Sequence, residues 1–146
     1  FNLGDADVIN TNTEDYIAYV FAAKQGFSKF GTYVGDGNAG NLGPFLYTGF
    51  KPAFVITKPS SEADAWTMWD NKRPGYNDQL SQLFCHASSL ESAGSANKAI
   101  AFCSNGFKIN AADANELNKD GDTFIYMAFA EAPLVNSKGA PANASV

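Results

Sequence analysis

The sequence has little positive charge, a single histidine, two cysteines and no long apolar run. Lysine and arginine together number 10, against 15 aspartate and glutamate residues, which leaves a net charge of −5. A protein that binds a phosphate backbone needs a basic stripe, so the charge balance argues against nucleic-acid binding. No stretch approaches the roughly 18 apolar residues of a membrane-spanning helix, so we expect no membrane insertion.

The shortage of histidine and cysteine also limits the chemistry. A single histidine, His86, cannot build a histidine-based zinc site, and no serine-hydrolase or metalloprotease motif occurs in the chain. The two thiols, Cys85 and Cys103, belong to a chain of 146 residues, which is long enough to bury a core without crosslinks. Such thiols are more often buried and reduced than paired, so the fold is not expected to depend on a disulfide.

Aromatic residues and glycine are abundant, whereas charged residues make up only 17% of the chain. This composition excludes disorder and helical bundles and favours a β-rich domain. Apolar stretches between turn signals predict strands at 16–21, 29–34, 52–57, 65–69, 99–102 and 123–129. Leu80, Leu83 and Phe84 have helical spacing, which predicts one short helix over Asp78 to Ser88. The predicted fold is an all-β, antiparallel β-sandwich or jelly-roll-like domain with at most one short helix.

An internal repeat is the most informative pattern. A Phe-containing stretch, a polar Asp/Asn loop and an aromatic strand occupy residues 1–22 and again residues 107–130, with an offset of 106 to 108 residues. A repeat of this length indicates tandem domains. The predicted organisation is therefore a terminal hairpin of a preceding repeat or shaft strand at 1–23, a β-sandwich domain at 24–133 and a C-terminal tail at 134–146. The alternative is that two strands of one sandwich resemble each other by composition alone.

Several segments together carry a resemblance to a known family. They are Gly26-Phe27-Ser28-Lys29-Phe30-Gly31, Thr48-Gly49-Phe50-Lys51-Pro52, Trp69-Asp70-Asn71-Lys72-Arg73, Ser104-Asn105-Gly106-Phe107-Lys108 and Ile125-Tyr126-Met127-Ala128-Phe129-Ala130. The chain resembles, from residue 1 to about 133, a domain family of unknown function found in tailed-phage virion proteins, many from marine and cyanobacterial phages. Those proteins are similar to tail fibres and often contain tandem copies.

The resemblance implies a role in the virion and transfers no catalytic residue. On this basis we expect a non-enzymatic structural component, the distal C-terminal domain of a tail fibre that engages a host-surface glycan or protein. It implies assembly in the cytoplasm of a bacterial host and exposure on the particle surface. The expected partners are other virion proteins and copies of itself, with a trimer by analogy. A purely structural decoration, head-fibre or tail-connector protein is the first alternative.

The candidate ligand-binding residues surround the second tryptophan. On a strand, Trp66 and Met68 face one way and Thr67 and Trp69 the other, so one tryptophan can reach the surface. A surface Trp69 beside polar groups would form a stacking plate for sugars. The proposed set is Trp69, Asp70, Asn71, Arg73 and Tyr76. The alternatives are that Trp69 packs against a loop or subunit, that Asp70 caps its turn, and that Arg73 braces it.

Two further chemistries remain open as alternatives. A capsule-degrading depolymerase would use paired carboxylates, for which Glu62, Asp64, Asp70 and Glu91 are candidates. No cofactor is expected, although calcium could bind oxygen-rich loops. The two candidate loops contain Asp5, Asp7, Asn10, Asn12 and Asp15 in the first repeat, and Asp113, Asn115, Asn118, Asp120 and Asp122 in the second. Hydrogen bonding of these side chains to their own loop backbone explains both clusters without a metal.

Overall fold

The fold is almost entirely β-structure. The computed structural model describes residues 3–4, 6–38, 42–73, 77–94, 98–112, 116–135 and 141–142. The strands are β1 (Ser28–Val34), β2 (Phe45–Tyr47), β3 (Pro52–Pro59), β4 (Thr67–Asp70), β5 (Leu83–Phe84), β6 (Lys98–Cys103), β7 (Gly106–Ala111), β8 (Thr123–Ala130), β9 (Leu134–Val135) and β10 (Pro141–Ala142). Within these residues, α-helix is confined to the four-residue α1 (Asp7–Asn10). The predicted all-β, sandwich-like fold is confirmed.

Two antiparallel sheets build the domain. The larger has five strands in the order β1-β8-β3-β4-β5, and the smaller has three in the order β2-β7-β6. A turn at Ser104-Asn105 joins β6 to β7, where Cys103 lies opposite Gly106. A separate pair, β9 with β10, follows the two sheets in the sequence. β8 lies between β1 and β3, so it joins the first strand of the larger sheet to the other three.

The hydrophobic core contains side chains from both sheets. Val55, Trp69 and Phe124 come from the larger sheet, and Ile100 and Phe107 from the smaller one, all fully buried. The Phe107 ring meets the Tyr126 ring edge to face at 5.3 Å, which joins the two sheets directly. Alternation along each strand places these residues on the inner face, because successive side chains of a strand point to opposite sides.

The outer face of the larger sheet is apolar as well. A single row crosses four strands, from Phe30 through Met127 and Ile56 to Met68, and Phe129 lies opposite Phe54 in the neighbouring row. These six residues, which we call the outer apolar band, are all half-buried. β3 and β8 therefore carry apolar side chains on both faces, with Val55 and Phe124 on the inner face.

The predicted helix over Asp78 to Ser88 is wrong. Gln79 instead exchanges backbone hydrogen bonds with Ile100, and Gln82 does so with Ser92. Leu83 and Phe84 form β5 beside β4. The extended segment forms hydrogen bonds and apolar contacts along the edges of both sheets. These interactions stabilise it more than a short helix with only three apolar residues on one face would.

The predicted strand over Tyr16 to Phe21 is also not observed. Residues 16–21 are not part of any strand in the described part of the chain, and most of their apolar side chains are exposed. Residues 28–130 contain both sheets, so this segment lies outside them. None of the helices in the described residues is long and apolar enough to span a membrane.

Candidate functional site

The structure places the two tryptophans in the reverse of the proposed arrangement. Trp69 is fully buried, and its indole Nε1–H donates to Thr57 Oγ1 at 3.3 Å across the β3–β4 pair. Trp66, just before β4, is the partly exposed one, and its backbone N–H donates to His86 Nδ1 at 3.3 Å. The alternation itself is as predicted, but Trp69 faces the core and is not a stacking plate in this structure.

Asp70 acts as a cap on the turn that follows β4. Its Oδ1 accepts the backbone N–H groups of Lys72 and Arg73, each at 2.9 Å. Its Oδ2 accepts from Arg73 Nε at 2.5 Å. The Arg73 guanidinium also contacts Glu91 Oε2 at 3.1 Å and the Met68 carbonyl at 3.2 Å. Arg73 therefore braces the turn within its own chain, which was one of the two predicted roles.

This network also sets the ionisation of Asp70. Partial burial acts to raise the pKa of this carboxyl, but the hydrogen bonds from Arg73 and the two turn N–H groups outweigh it and hold the pKa below its ordinary value. A general acid of a glycosidase needs a raised pKa, so the shift at Asp70 is in the opposite direction. Asp70 and Glu91 share one guanidinium as counter-ion.

The remaining members of the proposed site also have structural roles, or lie outside the described residues. Asn71 Nδ2 donates to Glu131 Oε1 at 2.6 Å, which ties the turn after β4 to the end of β8. Tyr76 lies outside the described part of the chain. Of the other candidate carboxylates, Glu62 pairs with Lys119 at 3.1 Å and Asp64 accepts the Ala65 N–H at 2.6 Å. The structure brings Asp70, Arg73 and Glu91 together, but it separates Trp69 from them.

The calcium candidates divide between buried and exposed positions. Asn118 is fully buried, and its Nδ2 contacts Asp36 Oδ1 at 3.0 Å, the Asn38 carbonyl at 3.2 Å and the Ala111 carbonyl at 2.7 Å. Asn10, Asn12, Asp15 and Asp120 are exposed, and Asp122 lies 3.4 Å from Lys119 Nζ. Asp5, Asp113 and Asn115 lie outside the described residues, as does the Asp7 side chain. Within the described part of the chain, no three His, Cys, Asp or Glu side chains group as metal ligands do.

The two thiols are not bonded to each other. Cys85 is exposed and Cys103 is half-buried, and both are free. Burial raises the pKa of the Cys85 thiol, although a hydrogen bond from its own backbone N–H acts in the opposite sense. A raised pKa leaves less thiolate at neutral pH, so the environment does not activate this cysteine as a nucleophile.

A surface that the sequence reasoning missed lies on β2. This strand alternates outward, inward and outward, so Phe45 and Tyr47 point to the surface while Leu46 enters the core. Tyr47 is 57% exposed and Phe45 48% exposed, which is high for two aromatic side chains on the same face of one strand. We call Phe45 and Tyr47, with the neighbouring Lys29, the β2 aromatic patch.

The two rings of the patch lie against glycines. A Cβ atom on Gly106 would stand 2.8 Å from Phe45 Cζ, and one on Gly49 would stand 3.5 Å from the Tyr47 hydroxyl oxygen. Only a residue without a side chain lets the Phe45 ring rest so close to the β7 backbone. The backbone of β7 at Gly106 and the turn at Gly49 thus lie against the rings, while much of the ring surface stays exposed.

Lys29 supplies the charge of the patch. Its Nζ donates to the Tyr47 carbonyl at 2.6 Å and lies 5.2 Å from the centre of the Tyr47 ring. Aromatic surface beside a fixed cation can stack on the apolar face of a sugar ring and attract an acidic substituent. The Phe-Leu-Tyr alternation between Pro44 and Gly49 was the available signal, but three residues are too few for a period-two pattern to stand out.

Fold and surface together define an all-β, sandwich-like domain with an exposed aromatic patch. Residues 1–133 match a family described as a domain of unknown function, DUF7483, and the chain belongs to this family. No curated protein matches the chain, and no solved structure does so. The family description names no activity, so the virion role implied by the resemblance stays a prediction.

Proposed function

We propose that this chain is a structural component of a tailed-phage virion, as the distal domain of a tail fibre that engages a host-surface glycan or protein. The domain is exposed on the particle surface, assembles with other virion proteins and with copies of itself as a trimer, and carries no catalytic site. The observation that supports recognition is the β2 aromatic patch, in which the two exposed rings of Phe45 and Tyr47 lie beside Lys29 of β1. The resemblance of the sequence to a family found in tailed-phage virion proteins supports the virion context.

The chemistry of the patch favours a carbohydrate with acidic substituents. The flat rings of Phe45 and Tyr47 suit the apolar face of a sugar, and Lys29 suits a carboxylate or sulfate. The sequence-based candidates around Trp69 are weaker, because the Trp69 indole lies in the core and Arg73 is held by Asp70 and Glu91. The proposed binding surface is therefore on β2, whereas the sequence predicted one around β4.

The test is a glycan array probed with the purified chain, with acidic and neutral host polysaccharides side by side. We expect retention on acidic glycans and at least a tenfold loss of affinity for Tyr47→Ala, because aromatic anchors at the centre of a contact dominate binding. Leu90→Ala is the matched control, since Leu90 is another exposed apolar residue and lies outside the patch. No retained glycan or host protein, or equal binding by Tyr47→Ala, would reject the proposal.

A purely structural role, as a decoration, head-fibre or tail-connector protein, is the second candidate. The outer apolar band favours it, because partly exposed aromatic residues in contiguous rows are typical of surfaces that pack against neighbouring subunits. Immunogold labelling of intact particles separates the two roles. Label at the fibre tip supports recognition, whereas label on the capsid or tail tube supports the structural role.

A further inference from the structure

The outer face of the smaller sheet continues from the β2 aromatic patch onto β7 and β6. Residues directly opposite each other in antiparallel strands point to the same face of the sheet. The row formed by Leu46, Phe107 and Phe102 is buried in the core, so the rows on either side of it face outward. We call these two outward rows the β2–β6 platform, and they consist of Phe45, Lys108 and Ala101 in one and Tyr47, Gly106 and Cys103 in the other.

The platform is low on the side away from β2. Its β6 positions are Ala101 and Cys103, which are both half-buried, and Gly106 of β7 has no side chain. The end of the Phe45 ring lies over Gly106, where a Cβ atom would be 2.8 Å from Phe45 Cζ. Two interstrand spacings separate β2 from β6, which is about 10 Å and more than a single sugar ring covers. A ligand that stacks on the rings therefore meets no large side chain when it extends along the Tyr47 row onto β6.

A lysine lies on each side of β2. Thr48 donates its N–H toward β7, to the Asn105 carbonyl, so the preceding Tyr47 carbonyl points away from β7, and there it accepts from Lys29. On the β7 side, Lys108 lies directly opposite Phe45. Lys108 also has an interaction within the chain, and an ammonium group with three N–H donors can serve such a partner and a ligand together. One acidic group cannot reach both sides of β2, whereas two neighbouring acidic sugars of one chain can.

We infer that the β2–β6 platform binds a linear acidic polysaccharide that crosses β2, β7 and β6, with the acidic groups of two neighbouring sugars at Lys29 and Lys108. This inference rests on the proposed glycan binding at the β2 aromatic patch. It adds the path of the glycan over the sheet, its minimum length, and two specificity-determining positions, Lys108 and Ala101. Because the chain has a net charge of −5 and repels polyanions in general, binding depends strongly on each of the two lysines.

Nuclear magnetic resonance titration of the full chain with oligosaccharides of defined length tests the inference. The acidic probes are linear mannuronate oligomers and linear sulfated galactose oligomers, and mannose oligomers with the linkage of the mannuronates are the neutral counterpart. We expect the dissociation constant to fall about tenfold or more from monosaccharide to tetrasaccharide in at least one acidic series, with weaker binding of the neutral tetrasaccharide. No binding, or no gain with length, in both acidic series would overturn this inference. Retention of another glycan on the array would then leave the proposed function standing.

Variants of the platform separate its two ends. Lys108→Gln should raise the dissociation constant of the acidic tetrasaccharide about tenfold, because it removes a charge-assisted hydrogen bond, and should leave the neutral one unchanged. Lys72→Gln is the matched control, since it removes the same charge from an exposed residue outside the platform. Ala101→Glu places a carboxylate on β6 and should abolish the gain with length, while monosaccharide binding stays as in wild type and reports an intact patch. Wild-type affinity of either platform variant for the acidic tetrasaccharide would overturn the inference.

The two free cysteines provide a second measurement. Cys103 lies on the platform, whereas Cys85 directly follows β5 of the larger sheet. A saturating concentration of the acidic tetrasaccharide should slow the alkylation of Cys103 by iodoacetamide severalfold and leave the rate at Cys85 unchanged, as measured by mass spectrometry of the two peptides. An unchanged rate at Cys103 would overturn the path across β6, and equal slowing at both cysteines would do the same.

Discussion

Trp69 and Asp70 are adjacent in the sequence and point to opposite faces of β4. The Trp69 indole lies in the core and donates a hydrogen bond to the Thr57 hydroxyl. The Asp70 carboxylate lies at the edge of the core and accepts hydrogen bonds from two backbone N–H groups of the turn and from a guanidinium. The polarity of the residues after Trp69 suggested a surface position for it. The register of β4 against β3, which depends on residues distant in sequence, decides otherwise.

Trp69→Ala should lower the free energy of unfolding by about 3–5 kcal/mol, because it removes a large side chain from a closed core. Urea denaturation measures the change. Trp66→Ala is the control, and we expect less than about 1 kcal/mol from it, since Trp66 is partly exposed. A folded Trp69→Ala variant with wild-type stability would contradict the placement of this indole in the core.

Asp70→Asn tests the turn network through its pH dependence. The native carboxyl has a lowered pKa, so its contribution is fully present above the unfolded pKa of about 3.9 and is lost as pH falls through the lower folded value. At pH 7 we expect the variant to be less stable by about 1–2 kcal/mol, the usual size for charge-assisted hydrogen bonds. Chemical denaturation across pH should show the difference shrinking below about pH 4. A pH-independent difference would mean that the charge of Asp70 contributes nothing.

At the scale of elements, the end of the β1–β8 pair depends on two glycines for different reasons. Gly35 donates its N–H to the Asp122 carbonyl at 2.9 Å and accepts from the Gly121 N–H at 3.1 Å. A Cβ on Gly35 would lie 2.2 Å from the Lys119 carbonyl oxygen, so space forbids a side chain there. Gly121 has open space around it but φ 77°, so conformation is its only constraint.

These two constraints predict different responses to substitution. Gly35→Ala should lower the free energy of unfolding by about 1–3 kcal/mol because its Cβ collides with the backbone, and Gly35→Asn should lower it at least as much. Gly121→Ala should cost about 1 kcal/mol, and Gly121→Asn should recover most of it, because asparagine tolerates a positive φ. Thermal unfolding of the four variants checks the pattern. Rescue by asparagine at Gly35, or its failure at Gly121, would contradict the assignment.

The elements also show how far local sequence predicts this fold. The strands at 29–34, 52–57, 65–69, 99–102 and 123–129 were predicted to within a few residues, because turn residues bound β-branched and aromatic runs. The segment 16–21 has the same local pattern but joins neither of the two described sheets, because sheet membership depends on residues distant in sequence. The helix predicted from the spacing over Asp78 to Ser88 is wrong because Gln79 and Leu83 form backbone pairs at the edges of the two sheets.

At the scale of the whole molecule, the fold class was predictable and the binding surface was not. Composition and turn spacing are properties of the entire chain and indicate β-structure directly. The β2 aromatic patch depends on Gly106 and Lys29, which come from two other strands, β7 and β1. Residues 44–49 alone therefore do not predict that the rings of Phe45 and Tyr47 lie beside Lys29.

The position of β8 in the larger sheet has a consequence for biosynthesis. β1 and β3 emerge from the ribosome before β8, and the strand that joins them ends at Ala130. Until about 95 further residues beyond β1 have been translated, the nascent chain holds two strands whose shared neighbour does not exist. Closure of this sheet therefore waits for β8, and the nascent domain exposes the unpaired edges of β1 and β3 until β8 has been made.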